Sequence, residues 1–364
     1  MKTKKVIVVL SLATVVFLGL SLQAMSQTKA PAAAPSKAQA WKFSNYLPPP
    51  HWSNWCNSWL LDAIEKRTNG KIKVRLFVAE ALGKAAEHYN MVSSGRVEIG
   101  ETVTGFAPGT FPLAGVLQLP FTWKNSLEGS MAANDLFQKG FLDETLRKDV
   151  KLIGLNLTVP LKIWTKKPVD TLEGLRGLRL RVAGGLDIQT VEALGANAIA
   201  MPLPEVYPAL EKGVIDGGVY GYDNAAVFKY AEAVKNVMDV PAGYAVHMYI
   251  MNKKLWDSLP KNTQVVLEGV FKDAAIHWAN TYDGLDADYK QDVIKHNGVV
   301  VANVSPAEYE KMRAATARVK DGWIADMKNK GLPGQENYDA LQTTMKDLGI
   351  IPDQSWVKNR AMVK

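Results

Sequence analysis

Cysteine is all but missing from this chain: Cys56 is the only one among 364 residues. That excludes an intramolecular disulfide and a sulfur-rich metal centre. Histidine is scarce too. The five, His51, His88, His247, His277 and His296, are scattered, and none belongs to the HExxH pair of a helix-borne zinc site, so no metal or other cofactor is expected. GxSxG, GxxxxGK and a strand-borne GxGxxG are missing as well. Missing motifs do not exclude an enzyme, but no residue pattern asks for one. Cys56, beside Trp55 in an apolar helical pattern, is expected to be inert packing.

The body of the chain also lacks charge of one sign. The formal net charge is +7, yet residues 1–40 hold five lysines and no acid, which leaves +2 for the remainder with acids and bases interspersed. Nucleic-acid binders present a basic face, and none is visible. Lys2, Lys4 and Lys5 precede an uncharged apolar run, 6–22, and Gln23, Ala24 and Met25 follow it. That order predicts a secretory leader over 1–24, with an uncleaved membrane anchor as the alternative, since the run is near the lower limit for a span. No cysteine follows it closely enough to carry a lipid. Residues 25–40, rich in Ala, Pro, Ser and Lys, read as a disordered tether.

The chain is organised around residues 175–224, LRGLRLRVAGGLDIQTVEALGANAIAMPLPEVYPALEKGVIDGGVYGYDN. Leu178, Leu180 and Val182 alternate with Arg179 and Arg181, which is a strand, and Gly184 and Gly185 release it into a helix carrying Ile188, Val191 and Leu194. A short strand (196–201), a helix opened by Pro204 and closed by Gly213, and a third strand (214–220) follow. Arg181 therefore stands near the carboxyl end of a strand. Ligands of open α/β sheets bind there, and N–H groups at the following helix start favour an anion, although Asp187 in that first turn competes for them.

The runs LRGLRLRV, EALGAN and MPLPEVYPALEKGVIDG resemble the periplasmic solute-binding proteins of tripartite ATP-independent periplasmic (TRAP) transporters, the DctP-like family. The likeness extends from GKAAEHYNMVSSGRVEIG to MNKKLWDSLP. It implies a two-lobe α/β periplasmic binding protein fold, joined by crossing strands and a long helix, with the ligand cleft between the lobes. It also implies that Arg181 binds a solute carboxylate, and that the partners are a small carboxylate and the transporter's membrane subunits. Two positions depart from the commonest pattern. Val219, Tyr220 and Gly221 stand where many members carry an acid, Asn and Pro, and Lys162 stands where many carry a second arginine. The expected division is 41–163 with 253–304 as lobe 1, 164–252 as lobe 2, and 305–364 as bracing C-terminal helices.

The remaining candidates follow the chain. Tyr46, His51 and Trp52 lie in the turn after the first strand (41–46), facing a cleft. Trp52, Trp55, Trp59, Leu60 and Ile64 recur at helical spacing over 52–68 and read as core before ligand cage. Glu101, Thr102 and Thr104 end the strand 97–103, before Gly105, Pro108 and Gly109, and are either cleft lining or solvated loop. Lys162 is either surface or a second grip. Leu203, just before the helix that Pro204 opens, is a further candidate. His247 and Tyr249 share one face of a strand returning to the first lobe. Helices are expected over 225–231, over 262–296 with a soft break near Gly284, over 306–330 behind a Ser305/Glu308 capping box, and over 336–348; strands over 234–240 and 299–304.

These residues predict capture of an organic acid in an extracytoplasmic compartment, with Tyr220, Trp52 and Tyr249 favouring an aromatic or apolar body. Glu101 would repel a second carboxylate if it faces inward. A secreted enzyme on organic acids is the alternative, with Glu101, His247 or Asp223 as general base. A ligand-binding partner for a sensor kinase is a third reading.

Overall fold

A computed structural model describes residues 38–107, 109–142 and 149–350. The expected leader, most of the tether, Pro108 and the last part of the C-terminal brace (351–364) lie outside the described residues. The tether's final residues, Gln39 and Ala40, already belong to the first strand.

The first lobe opens with β1 (Gln39–Ser44), α1 (Ser53–Arg67), β2 (Ile72–Phe77), α2 (His88–Ser93), β3 (Ile99–Val103), α3 (Ser126–Gln138) and β4 (Val150–Leu157). The second runs through β5 (Leu161–Thr165), β6 (Arg179–Val182), α4 (Asp187–Ala193), β7 (Asn197–Ala200), α5 (Leu203–Glu211), β8 (Gly217–Tyr220), α6 (Tyr222–Val227), α7 (Tyr230–Ala233) and β9 (Asn236–Gly243). β10 (Val246–Asn252), α8 (Lys253–Ser258), α9 (Lys261–Asn297), β11 (Val300–Val301), α10 (Pro306–Asn329) and α11 (Gly334–Asp347) complete the described chain. The two sheets run β2-β1-β3-β10-β4 and β11-β9-β5-β8-β6-β7.

β10 is buried throughout, on both of its faces. It pairs antiparallel with both β3 and β4. Its Val246, Met248 and Ile250 enter a core with α3, α10 and α11, while Tyr249 and Met251 enter another with α1 and α9. The strand connections between lobes are tied together, since Thr158 N donates to the Ala245 carbonyl (3.1 Å) and Ala245 N to Thr158 Oγ1 (3.0 Å). α9 is a third link. Its Leu267, Val270, Phe271 and Trp278 pack in the first lobe, and Val293 in the second.

Several expectations change. β10 hydrogen-bonds in the first sheet although 164–252 was assigned to the second lobe; β11 pairs with β9 in the second although 253–304 was assigned to the first. A boundary at 163 would also cut β5. The helix expected over 225–231 is two short ones, separated where Lys229 turns left-handed (φ 62°). α9 runs unbroken through Gly284, because flanking packing outweighs the glycine's weak propensity. The strand expected over 299–304 shrinks to two residues. The capping box is only half made: Ser305 Oγ accepts from Glu308 N, but Glu308 Oε2 accepts from Leu172 N (2.9 Å), tying α10 to the second lobe. Trp55 is 59% exposed. At about 100° per residue, Cys56, Leu60 and Ile64 centre on a face from which Trp55 points away.

Candidate functional site

The two arginines of β6 share a sheet face but differ in burial. Arg179 is exposed and pairs with Asp216 (Nη2–Oδ1 2.8 Å), whereas Arg181 is buried, 2% exposed. Arg181 Nε donates to the Met201 carbonyl (2.9 Å) and Nη1 to that of Val219 (3.3 Å). A guanidinium carries five N–H donors, so three are left, including both on Nη2, without an acceptor among the described residues. Nor does any carboxylate there lie within ion-pair distance of it. Burial lowers its pKa from the usual arginine value; the tyrosines Tyr230, Tyr46 and Tyr220, and Asp187, oppose that shift. Arginine nonetheless stays a cation in proteins.

The same face of the second sheet supplies the surroundings. Gly218 pairs with Arg181 on one side and Trp164 on the other, and a Cβ there would lie 2.8 Å from the Tyr220 ring and 3.1 Å from Arg181 Cβ. Glycine is what lets these side chains converge. Tyr220 stacks on Trp164 (5.5 Å, 17°) and meets Tyr230 edge-on (4.9 Å). Its hydroxyl is buried without a hydrogen-bond partner among the described residues. Tyr230 Oη donates to the Leu203 carbonyl, so Leu203 acts through its backbone while its side chain packs in the core. Lys162 also lies on this face, but its ammonium pairs with Asp286 of α9 (3.2 Å) and sits 5.1 Å from the centre of the Tyr222 ring. The expected second grip is thus committed elsewhere, to an acid 124 residues away in sequence.

The first lobe closes the space from the other side. Tyr46 packs edge-on against Phe106 (5.3 Å). Burial, then the charge of Glu101, pushes its hydroxyl pKa well up; Arg181 opposes and Asp223 reinforces. Trp52 lies against Tyr282 (4.4 Å) and Trp278 (4.8 Å). Its Nε1 donates to Asp223 Oδ2 (3.0 Å), and His51 Nε2 lies 3.4 Å from the same oxygen. Asp223, in the first turn of α6, thereby joins the lobes. Glu101 Oε1 lies 2.7 Å from His247 Nδ1, and its Oε2 accepts from Asn57 Nδ2 (3.3 Å).

Three further candidates belong to the first lobe. Thr102 pairs with Met248, on the sheet face opposite to Glu101, and its hydroxyl is buried without a partner among the described residues. Thr104 Oγ1 reaches Gln118 Oε1 at 3.5 Å. Tyr249 belongs to the first-lobe core against Phe43 (6.0 Å).

Sequence reading missed Gln118, which donates to the Tyr244 carbonyl (3.0 Å) and accepts from Leu186 N (3.4 Å). It missed the Gly105 contact as well. A Cβ there would fall 2.4 Å from the Ala183 carbonyl oxygen, so the backbones of the two lobes touch at this point. Neither residue carries a local signal. Asp187, expected to compete for the helix start, is fully buried beneath the Gly243–Tyr244 connection. Burial pushes its pKa up to about 8, against the Tyr244 N–H and the Arg181 charge. α4 is only seven residues long and already holds this carboxyl in its first turn, so its N-terminus offers no separate anion site. Among the described residues no group of three His, Cys, Asp or Glu could hold a metal ion, and no helix is long and apolar enough to cross a membrane.

Comparison with known proteins agrees with this architecture. A TRAP periplasmic solute-binding protein from Bordetella bronchiseptica, solved with bound (R)- and (S)-mandelate, is 27% identical with a TM-score of 0.78, over 85% of this chain and 99% of that one. A marine metagenome TRAP solute-binding protein specific for aromatic acids, solved with 3-hydroxybenzoate, is 26% identical with a TM-score of 0.80, over 88% and 100%. The 2,3-diketo-L-gulonate-binding periplasmic protein YiaO of Escherichia coli K12 is 25% identical over 66% of this chain and 74% of its own length. The model of bacterial extracellular solute-binding protein family 7, DctP, matches residues 54–326, and the chain belongs to that family.

Proposed function

We propose that this solute-binding protein captures an aromatic monocarboxylate between its lobes, in the periplasm, and delivers it to the membrane subunits of a TRAP-type transporter. The reading is carried by one observation: a buried guanidinium, fixed by two carbonyls, with three N–H groups free and no carboxylate against it among the described residues. A planar fork of this kind matches a carboxylate. The unpartnered Tyr220 hydroxyl is the next donor, and the rings of Tyr46, Trp52, Tyr220 and Tyr230 would wall an apolar body. Relatives solved with mandelate and 3-hydroxybenzoate support that solute class.

Closure follows from contacts that both lobes make at once. The tied Thr158–Ala245 connections provide the hinge, and the solute favours the closed form because Arg181 and Tyr220 come from one lobe while Tyr46 and Trp52 come from the other. A thermal-shift screen against aromatic acids, dicarboxylates and sugar acids tests the solute class, since a tight ligand raises Tm by mass action. Recovering the bound acid unaltered after prolonged incubation separates this reading from catalysis by the Glu101–His247 pair. A turned-over acid would refute it.

A further inference from the structure

Asp223 is a buried carboxylate, 1% exposed, held by protein donors on both oxygens. Its Oδ1 accepts from Tyr282 Oη and Asn224 Nδ2, each at 3.0 Å, and its Oδ2 from Trp52 Nε1 at 3.0 Å. Ser53 N donates to His51 Nδ1 (3.2 Å), which makes that nitrogen the acceptor and leaves Nε2 to donate to Asp223 across 3.4 Å. Burial alone would raise the carboxyl's pKa, but His51 and then Trp52 outweigh it, and the net shift is downward. Asp223 is therefore a fixed, dehydrated anion held by donors from the first lobe, the spanning helix and its own turn.

That anion shares its surroundings with Arg181, the one uncommitted buried cation there among the described residues. Gly218 of β8 pairs with Arg181, and the same strand runs on through Tyr220 to Asp223 in the first turn of α6, so both charges lie toward the carboxyl ends of adjacent strands. Burial raises the hydroxyl pKa values of Tyr46 and Tyr230; Arg181 lowers them and Asp223 raises them, in keeping with that placement. Lys162, the other buried cation on this sheet face, is taken by Asp286, and Lys290 by Asp239. Glu101 contributes a further acidic side chain near Tyr46. Arg181 is thus the one uncommitted cation here among the described residues, and Asp223 and Glu101 are the acidic side chains that share its surroundings.

Resting on the reading of the site as a carboxylate cleft, we propose that Asp223 sets the charge class of the solute: one carboxylate is accepted at Arg181, and a second is rejected by Asp223. A dianion would bring its second carboxylate, stripped of water, toward a fixed carboxylate in a medium of low dielectric, where like charges repel strongly.

The test pairs two probes of the same shape. Calorimetry on the wild-type protein compares 3-carbamoylbenzoate with isophthalate, together with the ortho and para isomers of each, and benzoate as reference. The neutral amide is expected to bind at least about tenfold tighter than the dianion at the best-accepted ring position. Asp223→Asn is expected to narrow that ratio by about tenfold, which loss of wall positioning alone would not do, since it weakens both probes together. If benzoate, mandelate and 3-hydroxybenzoate all fail to bind, the aromatic-acid reading falls and this inference with it. If benzoate binds, three results overturn the inference alone: a dianion as tight as its amide, a ratio unchanged in Asp223→Asn, or rejection of amide and dianion alike at every position, which would make bulk the barrier. The wild-type comparison decides even if the variant does not fold.

Discussion

Asp187 offers a test of the buried electrostatics that needs no solute. Its carboxyl is fully buried, Oδ1 takes a long hydrogen bond from Tyr244 N (3.4 Å), and Oδ2 has no partner among the described residues. Burial pushes its pKa up to about 8. In the unfolded chain an aspartate titrates near 3.9, about four units lower. The folded state therefore keeps a proton that the unfolded state releases. Its contribution to stability is fully present below about pH 4, is lost as pH rises to about 8, and stays lost above that. Each pH unit inside the window removes about 1.4 kcal/mol, a ceiling of about 6 kcal/mol in all. Relaxation and water entry soften such penalties, so a measured loss of at least about 2 kcal/mol is expected. Asp187→Asn keeps the acceptor for Tyr244 N and cannot ionise. In urea unfolding of solute-free protein at pH 5 to 9, the variant should gain on the wild type as pH rises to about 8 and hold a constant margin above it. Parallel curves across the whole range would refute the reasoning.

Two further substitutions separate binding from folding. Tyr220→Phe removes a hydroxyl that has no partner among the described residues, so unfolding free energy should be unchanged or slightly higher. Solute affinity measured by calorimetry should fall about tenfold, the worth of a hydrogen bond to a carboxylate. Lys162→Met should do the reverse. It strands Asp286, costing about 2 kcal/mol of stability by denaturant titration, while changing affinity by less than about threefold. A large loss of affinity there would restore Lys162 as a solute ligand.

What the sequence conveyed and what it withheld follow from the range of each interaction. Arg181 was legible because alternation with Leu180 and Val182, and the glycines that end the strand, are local. The returning strand 246–252 was legible for the same reason, and so was its return to the first lobe, but not its register or its neighbours, which depend on hydrogen bonds to β3 and β4, some 90 to 150 residues earlier. The commitment of Lys162 to Asp286, the hold of His51 and Trp52 on Asp223, and the place of Gln118 between the lobes are also long-range. No periodicity encodes them. Tryptophan spacing misled at Trp55, since a count of apolar residues does not give the angle of the buried face. Gly105 and Gly218 are silent in sequence because their role is the side chain they lack, and only the opposed backbone or ring makes that visible.

The central claim is that the buried guanidinium of Arg181 holds the solute's carboxylate. Calorimetry of the wild-type protein and Arg181→Ala, with an aromatic acid taken from the thermal screen, tests it most directly. The account expects a folded variant whose affinity is weaker by about 2 to 5 kcal/mol, the consequence of truncating one member of a buried charge pair. An affinity equal to that of the wild type, with the fold intact by circular dichroism, would contradict it.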